Sequence, residues 1–345
     1  MNAGARPGRT VDADGVRWFR LRAQHLDVRL PAGSDREAAW AGLQDTAPRS
    51  ALLELHARMD GVGPHGWESP NLVQVWLRHA AYLVPRADFG VFTVGAMPRD
   101  AVAARALDAV ADRLLAALAG SPRRYDEIEA AGFPIRAVRL AGPTGRIAVR
   151  WDASATWVLP VDRPDVDPEE ARLELARRHL AWHAPSSPQR FAKWAGVDEV
   201  DGAATFRALG DELAEIKLPG EPRWVLARDL DRFHDARLPF ATRMLAPDDS
   251  YLELDRTTIL GDHPRLAHLD VVELGSRLLN SLAGRILVDG ELVGSWGRAG
   301  GLFTLAPWRE LSPRDRARVE TEVDSSAGPL GRPVTIRWLA APPRR

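Results

Sequence analysis

The chain has 345 residues, 45% of them hydrophobic and 27% charged, with a formal net charge of −1 and no Cys. Such a length and balance suit roughly two to four packed units. They exclude disulfides, thiol nucleophiles and cysteine zinc sites, any apolar run of the ~18 residues that a membrane span needs, and a protein that is basic all over. Lys nevertheless occurs only at Lys193 and Lys217, so 46 − 2 = 44 of the cations are Arg. Arg forks onto phosphate through two N–H groups, although codon bias in a GC-rich genome explains the same count.

In chain order, MNAGARPGRTVDADG has no signal-peptide core, and residues 1–14 read as a disordered tail of a cytoplasmic protein. AGLQDTAPRS (41–50) then places the polar run Gln44-Asp45-Thr46 between two apolar stretches that read as helices. Two readings of that run stand side by side. Asp45-Thr46-x-Pro48 is ordinary start chemistry for a helix at Ala51, and the same run could be the working end of an enzyme.

Ser-Pro pairs are expected to open helices, Ser as N-cap and Pro in the first turn. They occur at Ser69-Pro70, Ser121-Pro122, Ser187-Pro188 and Ser312-Pro313. The first predicts a helix from Pro70 to about His79, followed by a strand over Ala80–Val84. SPRRYDEIEAAG (121–132) and SPQRFAKWAG (187–196) share Ser-Pro-x-Arg-aromatic and both end on Ala-Gly. Between them, Arg146–Trp151 alternates, turns through Asp152–Ala155 and returns over Thr156–Pro160. This is a hairpin with Ile147, Val149 and Trp151 on one face and Arg146 and Arg150 on the other. Asp167 caps a helix lined by Leu173, Ala176 and Leu180. After SPQRFAKWAG a further helix over about 203–216 is expected, with Phe206, Leu209, Leu213 and Ile216 as its stripe. Its Asp211, Glu212 and Glu215 would repel phosphate. A strand at Arg223–Leu226 closes this unit.

Helix, short helix, turn, second helix and strands is the order of a winged helix-turn-helix. The expected fold is α+β: three such units in tandem over 15–97, 98–164 and 165–234, then a C-terminal β-rich domain over 235–345. In that last domain Asp289-Gly290 marks a tight hairpin turn. Arg124, Arg190, Lys193 and Arg207 lie on or near the helix-turn-helix segments, where they serve as phosphate contacts or as solvated helix charges.

Other patterns carry less. Gly61-x-Gly63-x-x-Gly66 follows a helix and contains Pro64, so it is a loop and not a dinucleotide fingerprint. His179 and His183 lie four apart on a helix without a third ligand in view, and no metal is expected. Trp157, Trp194 and Trp224 sit in apolar patterns that suit core packing.

Taken together, GLQDTAP with ALLELHARMDG behind it, VWLRHAAYLVPRAD (75–88), PTGRIAVRWD (143–152), ARLELARRHLAWHAPSSPQRFAKWAG (171–196), DSYLELDR (249–256) and ILVDGELVGSWGR (286–298) resemble the AlkZ/YcaQ-like winged-helix DNA glycosylases over roughly residues 15–310. The resemblance implies three tandem winged helices and a C-terminal β domain forming a concave surface for double-stranded DNA. It also implies release of alkylated or crosslinked bases by N-glycosidic hydrolysis, without a cofactor, by a cytoplasmic, nucleoid-associated monomer. The family's catalytic Gln-hydrophobe-Gln or Gln-hydrophobe-Asp motif falls on Gln44, Asp45 and Thr46. The first Gln is kept, the middle apolar residue is Asp, and the last position is Thr. Breaking the bond builds positive charge on the sugar, which calls for oxygen dipoles or negative charge and an oriented water. The alternatives are a winged-helix DNA-binding protein without this chemistry, as a regulator or a DNA-shielding resistance factor, and a scaffold for protein partners.

Overall fold

The computed structural model describes residues 9–45, 49–78, 80–152, 154–218, 222–233, 240–252 and 283–341. The chain begins with a short strand β1 (Arg9–Thr10) and helix α1 (Ala13–Ala23). Part of the expected tail is therefore ordered: β1 pairs in parallel with Ile216 and Lys217, which satisfies backbone groups that a tail would leave to water. Helix α2 (Asp35–Ala38), strand β2 (Leu43–Gln44) and helix α3 (Ser50–Arg58) follow.

The helix expected after Ser69-Pro70 is instead a strand, β3 (Leu72–Leu77), paired antiparallel with β4 (Ala80–Pro85) from Leu72↔Pro85 to Leu77↔Ala80. Val73 and Val75 favour extended backbone, and six apolar-rich residues are too few for helical period to override that preference. A short helix α4 (Phe89–Thr93) leads to α5 (Ala101–Leu118), whose first turn is capped by the Asp100 carboxylate on the amides of Val102 and Ala103.

Ser121-Pro122 also fails to open a helix directly. Strand β5 (Arg123–Arg124) comes first, paired with Val158 and Trp157, and α6 (Tyr125–Ala130) and α7 (Ile135–Ala141) follow. The hairpin forms as expected from β6 (Ile147–Trp151) and β7 (Thr156–Pro160). Helix α8 (Pro168–His183) starts at Asp167, and α9 (Pro188–Ala195) starts at Ser187 and stops at Gly196 in the left-handed conformation, φ 73°.

Helix α10 (Glu199–Leu209) is shorter than expected, because Gly210 at φ 49° ends it. Leu213 and Ile216 lie on strand β8 (Leu213–Lys217), paired with β9 (Pro222–Leu226). Asp211 and Glu212 lie on a single 3-10 turn (Gly210–Glu212) and Glu215 on β8, so the acidic α-helical face expected for the three does not form. The remaining elements are β10 (Thr242–Leu245), β11 (Gly284–Val288), β12 (Glu291–Ala299), β13 (Leu302–Pro307), α11 (Pro313–Ser325), α12 (Ala327–Leu330) and β14 (Thr335–Trp338). Mixed helices and strands make this an α+β chain, and among the described residues no helix is long and apolar enough to cross a membrane.

Packing gathers the chain into two discontinuous units, Met1–Asp12 with Ala39–Gly42 and Pro70–His234, and Ala13–Ala38 with Leu43–Ser69 and Asp235–Arg345. In the first, strands run in the order β4-β3-β6-β7-β5. Leu114, Leu118, Ile128, Val138, Ile147, Val149 and Val158 form the core that α5, α6 and α7 share with the β6–β7 hairpin. The β3–β6 seam is sealed by a side chain: the Gln74 amide accepts from Trp151 N at 2.6 Å and donates to Trp151 O at 3.2 Å. In the second unit, β10-β11-β12-β13-β14 form a sheet that is antiparallel except at β13–β14. Val319 and Val323 of α11 pack on its Ile286, Val293, Trp296, Phe303 and Leu305. Asp289 and Gly290 take φ 51° and 84°, the positive angles that a tight turn between β11 and β12 requires.

Candidate active site

Leu43 is fully buried and anchors β2, which leaves Gln44 half-buried at the strand end. Asp45 follows at 5% exposed, and its Oδ1 accepts from Ala51 N at 3.2 Å. Ser50 donates its hydroxyl to Gln44 O at 2.9 Å, and the same Oγ lies 3.4 Å from Asp45 Oδ1. A hydroxyl has one proton, so the shorter contact takes it. The Gln44 backbone and the Asp45 carboxylate are thereby tied to the first turn of α3. An anion is favoured there by the unpaired amides and the helix dipole. Thr46 lies outside the described residues. Arg49 precedes α3 at φ 71°, with its guanidinium 4.9 Å over the Trp67 ring.

Behind this turn is a buried polar network that the sequence reading missed. Arg58, fully buried at the end of α3, makes a two-pronged contact with Asp249: Nη1 to Oδ2 at 2.9 Å and Nη2 to Oδ1 at 2.7 Å. Its Nη2 also reaches Gln24 Oε1 at 3.0 Å and Ser250 Oγ at 2.9 Å. Glu54, one turn earlier and equally buried, lies 3.9 Å from Arg58. Burial opposes the Arg58 charge, but Asp249 and Glu54 outweigh it and push its pKa up. The available signal was Glu54 and Arg58 four apart inside an apolar helix, since two buried charges require partners. The partner segment lies too far along the chain to be inferred from spacing.

In the first unit the two cations expected on the hairpin differ in exposure. Arg146 is half-buried and donates to Asp112 Oδ1 at 2.6 Å, so its charge is already paired. Arg150 is exposed, opposite Trp157, and Trp157 is in turn opposite Arg124. Directly paired residues of neighbouring antiparallel strands share a face. Arg150, Trp157 and Arg124 therefore form one row, cation–aromatic–cation, across β6, β7 and β5. Arg124 also contacts Asp126 at 3.1 Å. The turn is stiffened by Asp152, whose Oδ1 accepts from the Ser154 hydroxyl and from the amides of Ala155 and Ser154; these bonds hold its pKa down to about 2. Lys193 and Arg207 are exposed on α9 and α10, and Arg190 of α9 is half-buried.

His179 and His183 are buried side by side on α8, ring centroids 5.3 Å apart, packed on Trp194. His179 Nε2 is 2.7 Å from Ser186 Oγ, and Arg78 stacks over Trp194 at 3.8 Å. Among the described residues, no group of three or more His, Asp or Glu could hold a metal ion. Trp194 is a core residue, whereas Trp157 and Trp224 remain partly exposed.

No curated protein matches the sequence. The solved structure of the Streptomyces sahachiroi DNA glycosylase AlkZ superposes with a TM-score of 0.73 at 17% identity, over 96% of this chain and 100% of that one. At that identity the likeness concerns the fold. The sequence profile of the family described as DNA glycosylase AlkZ-like matches residues 130–328, more than half of the chain. That span takes in the β6–β7 hairpin with its arginines, the helices α8 to α10 and most of the second unit's sheet, and this chain belongs to the AlkZ-like DNA glycosylase family.

Proposed function

We propose that this protein binds duplex DNA and hydrolyses the N-glycosidic bond of an alkylated base, a crosslinked base being released by the same step. Water attacks C1′ of the sugar, the C1′–N bond breaks, and the base leaves with the bonding electron pair. An N-alkylated purine is already cationic and departs neutral without acid help. In this reading the Gln44 side-chain carbonyl orients the water, and Asp45 lowers the energy of the developing sugar cation through space and takes up the proton the water sheds. Thr46 stands at the family motif's last position with a shorter side chain. The observation that carries the proposal is the Gln44 side chain itself, a half-buried amide at a strand end whose backbone is held by Ser50, and the family membership shown by residues 130–328 supports the choice of reaction.

The orders α5-β5-α6-α7-β6-β7 and α8-α9-α10-β8-β9 support reading these stretches as winged helices, with α1-α2-β2-α3-β3-β4 as the first of three. The Arg150–Trp157–Arg124 row offers phosphate contacts beside an aromatic face on which an unstacked base can lie, and Arg190, Lys193 and Arg207 add cations from α9 and α10. The protein acts in this reading as a cytoplasmic, nucleoid-associated monomer. The deciding experiment is release of N7-methylguanine from a methylated duplex. Release by the native chain and its loss in Gln44→Ala is the expected result. A second reading is favoured by the Asp45–Ala51 contact, which makes Asp45 a helix cap. If native protein releases nothing while binding duplex tightly, the chain is a DNA-binding protein without the chemistry.

A further inference from the structure

A cavity of about 630 Å³ lies within the second unit, walled by one face of α11, by β10 and by the segment around Arg29. Four guanidiniums line it, those of Arg29, Arg243, Arg314 and Arg318. Two of them are already neutralised. Arg29 holds Glu322 Oε1 at 2.5 Å, and Arg318 grips both oxygens of Asp289 at 2.9 and 2.6 Å.

The other two make no side-chain ion pair among the described residues, although Asp27, Asp60 and Glu322 also line the cavity. Arg243 is only 8% exposed, and its two terminal nitrogens are spent on backbone carbonyls, Thr242 O at 2.7 Å and Asp27 O at 3.2 Å. Its Nε is buried with no hydrogen-bond partner among the described residues. Neutral carbonyls satisfy N–H groups but do not balance a buried charge. Burial, then the neighbouring Arg29, outweigh Glu322, Asp27 and Asp60 and hold the Arg243 pKa down to about 10. Arg314 is exposed at the start of α11, with its guanidinium 4.8 Å from the Phe240 ring. Phe240 itself is 65% exposed, with Arg318 3.8 Å from its ring on the same rim.

What fills such a site must bring negative charge and enough acceptor oxygens to meet a buried Nε–H and a second guanidinium fork together. A tetrahedral phosphate does both. A single carboxylate does not span two forks, and Glu322 already plays that part toward Arg29. We propose that this cavity is a phosphate-binding site, with Arg243 as its floor and Arg314 as its gate, for the phosphate of a nucleotide or of a DNA backbone. Phe240 supplies the rim against which a ring carried by that phosphate stacks. The site is separate from Gln44 and does not rest on base excision.

The test uses inorganic pyrophosphate as probe, titrated calorimetrically into the full chain at low salt, with Arg314→Ala and Arg243→Gln beside it. Arg314 is exposed, so its variant folds even where Arg243→Gln does not. We expect at least a tenfold loss of pyrophosphate affinity in Arg314→Ala. Undamaged duplex then distinguishes the two sources. A backbone phosphate at this site lowers the slope of log affinity against log salt by about 0.9 in Arg314→Ala. An unchanged slope with pyrophosphate binding lost assigns the site to a free phosphate ligand. Absence of pyrophosphate binding by the native chain, or equal affinity in Arg314→Ala, overturns the proposal. Base release enters neither readout, so a protein that excises nothing can still hold the site, and one that excises without binding pyrophosphate lacks it.

Discussion

Gln44 and Asp45 are neighbours in sequence with different allegiances in space. The Asp45 carboxylate is turned to the Ala51 amide in the first turn of α3, while the Gln44 backbone carbonyl is occupied by Ser50 and its side chain remains half-buried at the strand end. We predict that Gln44→Ala lowers base release by about 10²-fold or more, the usual size for removing one transition-state contact, while duplex affinity stays near native. In the proposed reading Thr46→Gln supplies a second amide, and release is predicted to rise. Asp45→Ala reads both roles: a loss of about 0.5–2 kcal/mol in stability reports the cap, and a further loss of rate reports the charge. Equal release by native and Gln44→Ala protein removes Gln44 from the chemistry. On the hairpin, Arg150→Ala with Arg124→Ala is predicted to weaken binding to every duplex sequence and to lower the salt slope by about 0.9 for each phosphate lost. Arg146→Ala should do less, because Arg146 is half-buried whereas Arg150 and Arg124 are exposed. A larger effect from Arg146 than from Arg150 would relocate the DNA-binding face.

At the scale of elements, local chemistry was legible wherever the deciding partner lay within one turn. Asp167, Ser187 and Ser312 cap helices because the amides they accept from are two or three residues on, and Asp289-Gly290 turns because only its own φ angles matter. Ser69-Pro70 and Ser121-Pro122 carry the same start chemistry but are followed by strands, since the next residues pair with Pro85 or with Val158. Pairing partners of that kind are invisible to spacing. The Gln74 amide that closes the β3–β6 seam and the Arg58–Asp249 pair were illegible for the same reason. The pair joins α3 to the turn after β10 across 191 residues of sequence. Asp249→Ala removes the two-pronged partner of a buried guanidinium and leaves it only the more distant Glu54, so we predict a loss of about 3–5 kcal/mol. The double change Arg58→Met with Asp249→Leu removes both members of the pair, with Glu54 remaining beside them, and should cost less than the sum of the two single changes. Urea unfolding of the single and double variants checks it. If the double change costs as much as the sum of its parts, the pair is not the clasp that the geometry describes.

At the scale of the whole molecule, a chain with 46 cations and 47 anions has no net field to drive unfolding near neutral pH, so acid sensitivity must come from individual groups. His56 is the strongest candidate. It sits in the last turn of α3 with Nε2 2.9 Å from Ser325 Oγ. Burial, then the charges of Arg29 and Arg243, depress its pKa from 6.5 to about 3. The fold therefore holds His56 neutral, whereas the unfolded chain takes up a proton below about pH 6.5. Stability is fully present above that value and declines as pH falls toward 3, because the unfolded state binds the extra proton. One wholly excluded proton corresponds to about 1.4 kcal/mol per pH unit, and the partial exposure of His56 reduces that figure. Ordinary carboxylates titrate lower and the other histidines are common to both proteins, so comparison with His56→Gln between pH 6 and 5 isolates His56. We predict that urea midpoints of the native chain fall across this window and that those of His56→Gln fall much less, so the gap between the two proteins shifts with pH. Parallel curves would place the acid-sensitive group elsewhere and show that the arginines around His56 do not exclude its proton.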